Sequence, residues 1–315
     1  MKRLFSTILA AALVMVTGCK PVITMITENP TVTINVAGTG TFTINWGDGS
    51  KVETHTLSEY NANSWEEEFG YSRDFSDRSL RAITITGKNI THLNCSGNEL
   101  TSLDVSKNTG LTYLHCFWNQ LTSLDVSKNT ALTYLHCGFN KLTSLDVSKN
   151  IELEYLSCQG NQLPSLDVSK NIKIINMSCT DNLLTNLDVS KNTNLAYFFC
   201  RENLLTNLDV SHNVALTYLV CLNNQLTSLD VSKNTELTVL ECGENQLTNL
   251  DLSKNIKLEN LECRENNLTT AALNAMLETL HDNTEGKAVM IGDNPGVNDC
   301  DQTIATNKGW TVLDF

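Results

Sequence analysis

Residues 111–131 read LTYLHCFWNQLTSLDVSKNTA, and residues 132–152 read LTYLHCGFNKLTSLDVSKNIE. The same 21-residue template runs from Ile90 to Lys257 eight times without a gap, and a ninth copy breaks off near Leu268. Nothing else in the chain restricts its fold as much. A period of this size is one supersecondary turn that cannot bury its own apolar face, so successive turns must stack into a solenoid. Ordering a residue costs about 1–2 kcal/mol, more per copy than its few inward side chains return at about 1.5–3 kcal/mol each. The array is therefore expected to fold cooperatively, from contacts between turns.

The copies divide into fixed and variable columns. With Leu111 as position one, positions one, four and six (Leu111, Leu114, Cys116) alternate like an inward strand face, and Leu121, Leu124 and Val126 repeat the pattern. Asn119 and Asn129 follow, where a buried amide can bond the backbone of the turn and its neighbours. Leu111-x-x-Leu114-x-Cys116-x-x-Asn119 and Leu121-x-x-Leu124-x-Val126-x-x-Asn129 resemble leucine-rich repeats of the nested bacterial kind, in which two half-repeats make one turn. The resemblance implies a mainly β, right-handed solenoid of about nine turns over residues 88–268, with partners bound on its strand face.

The flanks differ from the repeat. Lys2 and Arg3 precede an apolar run from Leu4 to Val16 that is too short to cross a bilayer and suits a signal peptide, residues 1–18. The run ends in Val16-Thr17-Gly18-Cys19, which resembles the bacterial lipobox and implies a mature chain anchored by lipid on Cys19 at the outer membrane or surface of a Gram-negative cell. Residues 19–30 are expected to be a tether. Residues 31–87 alternate as strands at Thr31–Val36, Thr41–Trp46, Lys51–Leu57 and Arg81–Thr86, with a long loop from Glu59 to Asp77. The Trp46-Gly47-Asp48-Gly49-Ser50 turn, with Tyr71 and Phe75, resembles a polycystic-kidney-disease-type (PKD-like) β-sandwich. Asp48 is read as a turn residue satisfying its own backbone. Residues 269–315 are expected to form an α/β C-terminal cap, with helices over Thr270–His281 and Asp299–Asn307 and strands at Ala288–Ile291 and Trp310–Val312.

Eleven cysteines in an exported chain would ordinarily suggest disulfides. Nine of them, Cys95, Cys116, Cys137, Cys158, Cys179, Cys200, Cys221, Cys242 and Cys263, share position six. Stacked strands lie about 4.8 Å apart with parallel side chains, whereas a disulfide needs converging bonds and Cβ atoms about 3.8 Å apart. The nine are read as small buried hydrophobes with free thiols. Cys300 is placed in the cap.

A formal charge of −13 with 22 Lys and Arg disfavours nucleic acid, which needs a basic stripe. No nucleophile–base constellation, phosphate-cradling loop or HExxH motif occurs, so an enzyme is not expected and no cofactor is assigned. The variable positions three, five, seven and eight carry the recognition signal. The candidate ligand-binding residues are Tyr113, His115, Phe117, Trp118, Tyr134, His136, Phe139 and Tyr155. Secondary candidates are Tyr197, Phe199, Arg201, Tyr218, Glu241, Glu244, Glu262 and Glu265, which make the later turns acidic. His115 and His136 are one turn apart, but no third zinc ligand recurs beside them, and they are read as a surface pair. An outward aspartate column (Asp104 to Asp251) is followed three residues on by lysines whose opposite charge offsets its repulsion. The expectation is a monomeric, lipid-anchored binding protein that holds a protein partner in adhesion or assembly, with a glycan bound through the aromatic patch as the alternative. Cys19→Ala is expected to release the chain from membranes; an unchanged membrane fraction on fractionation would refute the lipobox.

Overall fold

The computed structural model describes residues 21–59, 70–282 and 286–313; Cys19 and the expected signal peptide lie outside them. The chain forms two compact units, Met1–Leu142 and Thr143–Phe315.

Among the described residues of the first unit, six strands precede the repeats, β1 (Val22–Thr27), β2 (Thr31–Gly38), β3 (Thr41–Asn45), β4 (Glu53–Thr56), β5 (Gly70–Asp74) and β6 (Arg81–Gly87), and the first repeat carries β7 (Ile90–Asn94) and β8 (Ser102–Asp104). β9 (Tyr113–His115) and β10 (Tyr134–His136) belong to the next two turns. One sheet runs β4-β3-β6-β1-β8, and β5-β2-β7-β9-β10 run in order in the other. Ile23, Met25, Ile34, Phe42, Ile44, Ile83 and Ile85 are buried. Phe42 of the first sheet meets Tyr71 of the second edge to face at 5.1 Å. The residues that alternate in sequence are thus the ones that fill the space between the sheets.

Three expectations change here. The tether over 19–30 contains β1, whose alternating Val22-Ile23-Thr24-Met25-Ile26-Thr27 pairs antiparallel with β6 and β8; its apolar side chains find a core that a tether would leave in water. The Glu59–Asp77 loop contains β5, which is polar because it is an edge strand on β2. Residues 31–87 and 88–268 do not separate at residue 87. β2 pairs antiparallel with β7, the first repeat strand, which then pairs parallel with β9. Asn98 reinforces the seam: its Oδ1 accepts from Thr33 N at 2.9 Å, and its Nδ2 donates to Thr33 O at 2.7 Å.

The second unit carries β11 (Tyr155–Ser157), β12 (Asn176–Ser178), β13 (Tyr197–Phe199), β14 (Tyr218–Val220), β15 (Val239–Glu241) and β16 (Asn260–Glu262), each paired parallel and in register with the next. Only the first half of each repeat makes a strand. Among the described residues the second half forms no strand except β8 in the first turn, although its first leucine still accepts from the next turn, as Leu205 O does from Gln225 N at 2.8 Å. Its leucine and valine still point inward: Leu229 is nearly buried and Val231 wholly so.

The link between turns is the position-nine asparagine. Asn224 donates from Nδ2 to the carbonyls of Cys221 (3.2 Å) in its own turn and Cys200 (3.0 Å) in the turn before, and its Oδ1 accepts from Leu205 N at 3.0 Å. Asn119, Asn140, Asn182, Asn203, Asn245 and Asn266 also reach both their own cysteine carbonyl and that of the preceding turn. The second-half asparagines link turns as well: Asn192 Nδ2 reaches Val168 O and Asn171 O at 3.1 and 2.9 Å. The cysteines beside them are buried, and none of them is in a disulfide. Desolvation pushes the Cys95, Cys158 and Cys221 thiols up to about 12, so they stay protonated.

The cap follows Leu268. Thr269 accepts from Ala272 N and starts α1 (Thr270–Thr279), which buries Leu273, Met276 and Leu277. β17 (Lys287–Met290) and β18 (Trp310–Leu313) continue the parallel pairing after β16. The second helix, α2, is shorter than expected, Thr303–Thr306; residues 299–302 are instead turns, and Asn274 Oδ1 accepts from Asp301 N at 2.8 Å. Lys308 Nζ donates to the α1 C-terminal carbonyls of Leu277, Glu278 and Leu280.

Removing one position-nine amide orphans buried groups on two turns, at about 1–3 kcal/mol each. Asn224→Ala is therefore expected to cost about 3 kcal/mol or more in chemical denaturation, whereas Gln225→Ala, one residue on and exposed, should stay within about 0.5 kcal/mol.

Candidate functional site

Position eight, just before each first-half asparagine, has a backbone of its own. Trp118, Phe139, Asp181, Glu202, Asn223, Glu244 and Glu265 have φ between 48° and 53°, and Gly97 and Gly160 lie at 67° and 63°. This left-handed kink turns the asparagine back toward the cysteine carbonyl and throws the preceding side chain outward. Glycine, asparagine and aspartate adopt it readily; a bulky aromatic does so at a local cost. Trp118 is nevertheless 70% exposed and Phe139 46%. Two large aromatics thus stand in solvent at positions the fold disfavours for them.

In the first unit they border an aromatic rank on the strand face. Tyr113 and Tyr134, registered opposite each other on β9 and β10, stack at 4.2 Å and 11°. His115 and His136 stack at 4.6 Å and 8°. Phe117 lies 4.7 Å from the His136 ring and 5.3 Å from Phe139, meeting the latter edge-on. The sequence-predicted residues of this unit are therefore brought together. The histidines are not a freely exposed surface pair: both are half-buried among these rings. Burial, then the neighbouring His115, brings His136 down to about 4, so its imidazole is neutral at physiological pH. Tyr155 lies on β11 in the second unit and is half-buried there.

The secondary candidates in the second unit form a different arrangement. Tyr197 and Tyr218 are looser than the first pair, at 6.5 Å and 30°, and Phe199 lies 5.6 Å from Tyr218. The charged residues are engaged internally. Arg201 pairs with Glu202, and Arg264 pairs with Glu244 at 3.4 Å and Glu262 at 3.1 Å. Glu262, expected on the open face, is buried at 6% exposure. Position seven of the preceding turn is Gly243, whose missing side chain leaves room for the carboxylate, and the Gly243 and Arg264 N–H groups donate to it. Glu265 projects from the kink of its turn. Tyr218, Leu222, Val239, Glu241, Glu262 and Met290 line a shallow recess of about 340 Å³ here.

The aspartate column acts locally. Asp125, Asp167, Asp188, Asp230 and Asp251 each accept from the backbone N–H of the serine two residues on, which holds their carboxyls below the usual range, and the lysine three residues on adds to the effect. Asp48 behaves as the turn residue the sequence indicated. It accepts from Ser50 N at 2.9 Å, and hydrogen bonding with the Ser50 side chain, then that backbone bond and Arg73 at 2.7 Å, bring it down to about 2 against desolvation.

The chain is a mainly β leucine-rich-repeat solenoid, and solved structures share that fold. A leucine-rich-repeat protein of Leptospira interrogans matches with a TM-score of 0.51 and 21% identity over 72% of this chain and 73% of that one. The functional domain of InlJ from Listeria monocytogenes, described as including a cysteine ladder, matches at 27% identity and a TM-score of 0.41, over 74% of this chain and 71% of that one. The Listeria internalin InlF matches at 21% and 0.44, over 65% and 74%. No family model matches the sequence, and no curated protein does.

Glu262 provides a titration test. Burial raises its carboxyl to about 7, against Arg264 and the two N–H donors, which lower it. The unfolded value is lower, so its contribution to stability is fully present below about pH 4.5 and is lost as pH rises through about 7. Glu262→Gln is expected to stabilise the protein by up to about 3 kcal/mol at pH 8, with little effect at pH 4.5. Equal effects at both pH values in urea denaturation would mean that the carboxylate is not desolvated.

Proposed function

We propose that the protein is an exported binding protein, anchored by lipid on Cys19, that holds a protein partner in adhesion or assembly through its strand face. The observation that carries this reading is the aromatic rank in the first unit. Tyr113, Tyr134, His115, His136 and Phe117 form a preorganised stack, and Phe139 projects beside it into solvent. Large rigid aromatics lose little conformational entropy on binding and dominate interface energetics. A chain that needed only stability gains nothing by placing an exposed phenylalanine at a left-handed position that Gly160 fills elsewhere without a side chain. No nucleophile–base pair accompanies the patch, and binding, not catalysis, is what its chemistry serves.

The acidic residues of the second unit are a secondary contact in this reading, with Glu241, Glu244 and Glu265 as the participants. Glu262 serves structure there.

A photo-crosslinking amino acid in place of Tyr134 is expected to trap a protein partner at the cell surface, and the same group in place of exposed Lys170 is not. Against the trapped partner, Phe139→Ala should weaken binding about thirtyfold, the scale of a 2 kcal/mol hot spot, with an unchanged melting temperature. Equal trapping from both positions, or a large melting shift for Phe139→Ala, would overturn the assignment.

A further inference from the structure

Trp118, whose ring meets Phe117 of the stacked rank edge-on at 6.4 Å, also lines a recess of about 320 Å³ together with Gly97, Glu99, Asn119 and Gln120. We propose that this recess is a carbohydrate subsite that seats one pyranose ring on the Trp118 indole. The proposal stands without the protein-binding reading, because it uses different residues and a different ligand chemistry.

The recess exists because of its neighbour one turn back. Gly97 holds the same left-handed position as Trp118 but has no side chain, and a Cβ built on it meets nothing within 4 Å. The space beside the indole is therefore open. Glu99 and Gln120, at position ten of the two turns, supply polar groups at its edge. Glu99 Oε2 accepts from Arg78 Nη1 at 3.0 Å, and Gln120 Oε1 accepts from Lys141 Nζ at 3.1 Å. The carboxylate retains its other oxygen and the amide its two N–H donors for a ligand.

Three alternatives fit this chemistry less well. A cationic side chain would stack on the indole, but Arg78 and Lys141 already place two positive charges beside the recess. An aliphatic side chain would cover the indole while desolvating the Glu99 and Gln120 groups without replacing their hydrogen bonds. An anion would meet the Glu99 carboxylate. A neutral pyranose suits both parts. The weakly positive C–H hydrogens on one face of the chair lie against the negative face of the aromatic ring, and its peripheral hydroxyls donate to carboxylate and accept from amide. The volume is at the low end for small-molecule sites, which suits a single ring at the end or along the side of a glycan.

The test is saturation-transfer NMR of the full chain with methyl pyranosides of glucose, galactose, mannose and N-acetylglucosamine, followed by an array of immobilised glycans. At least one pyranoside is expected to show transfer concentrated on the C–H protons of one ring face. Trp118→Ala should lower the affinity at least tenfold, and Trp118→Phe should recover part of it. Gly97→Asn fills the recess with a residue that the equivalent position 223 already accommodates, so it should keep the fold and abolish transfer. Tyr134→Ala and Phe139→Ala should leave pyranoside binding unchanged, which separates this site from the protein surface. No transfer from any pyranoside, or transfer unaffected by Trp118→Ala and Gly97→Asn, would overturn the proposal. A protein partner that loses affinity through Trp118 while no sugar binds would overturn it in favour of a wholly protein-facing tryptophan.

Discussion

The position-nine amide is the interaction on which the rest of the structure depends. Asn119, Asn140, Asn182, Asn203, Asn224, Asn245 and Asn266 each donate to the cysteine carbonyl of their own turn and to that of the turn before, and in most turns the amide oxygen accepts a backbone N–H two residues after the preceding asparagine. These backbone groups lie where the strand ends and cannot pair within the sheet. Left unpaired in a dry core, each would cost about as much as a lost hydrogen bond. One side chain thus settles several backbone debts at once. It does so only if the chain doubles back sharply, and the residue before it must then be left-handed.

Two features of the molecule follow. The residue ahead of the kink points outward, so its chemistry is independent of the core; glycine, acids, asparagine, phenylalanine and tryptophan all occur there. The position-six residue, whose carbonyl the amide holds, points inward at every turn, among leucines that are fully buried. Cysteine meets that need as a compact hydrophobe whose thiol, with its pKa raised by burial, stays protonated. The column is therefore a packing device.

Much of this was legible in the sequence because repetition removes ambiguity. The leucine and asparagine columns identified the turn, and alternation identified β2, β3 and β6. β1 alternates equally, yet it falls within residues 19–30, the expected tether. β5 was hidden because an edge strand does not need apolar residues. The aromatic rank could be read from spacing alone, since parallel strands in register place position three over position three. The burial of Glu262 could not, because it depends on Gly243 in a different turn and on Arg264 closing over the carboxylate. The left-handed column left a partial trace, in that Gly97, Gly160, Asp181 and Asn223 share one position; Trp118, Phe139 and the glutamates concealed it.

The antiparallel seam between β2 and β7 has a consequence for how such a chain can change in length. The other first-half strands of the repeats each pair with a parallel neighbour of the same kind, and an edge of that kind would accept another copy indefinitely. At its start the array is closed by a strand running the opposite way, locked by Asn98 to Thr33. The edge beyond β2 is formed by the polar strand β5 and not by a repeat strand, and gain or loss of one whole period further along leaves that start untouched. Near-identical copies such as residues 111–131 and 132–152 present the same inward side chains, so a turn of either kind stacks on the other. The fold thereby permits its strand face to lengthen or shorten in steps of one turn.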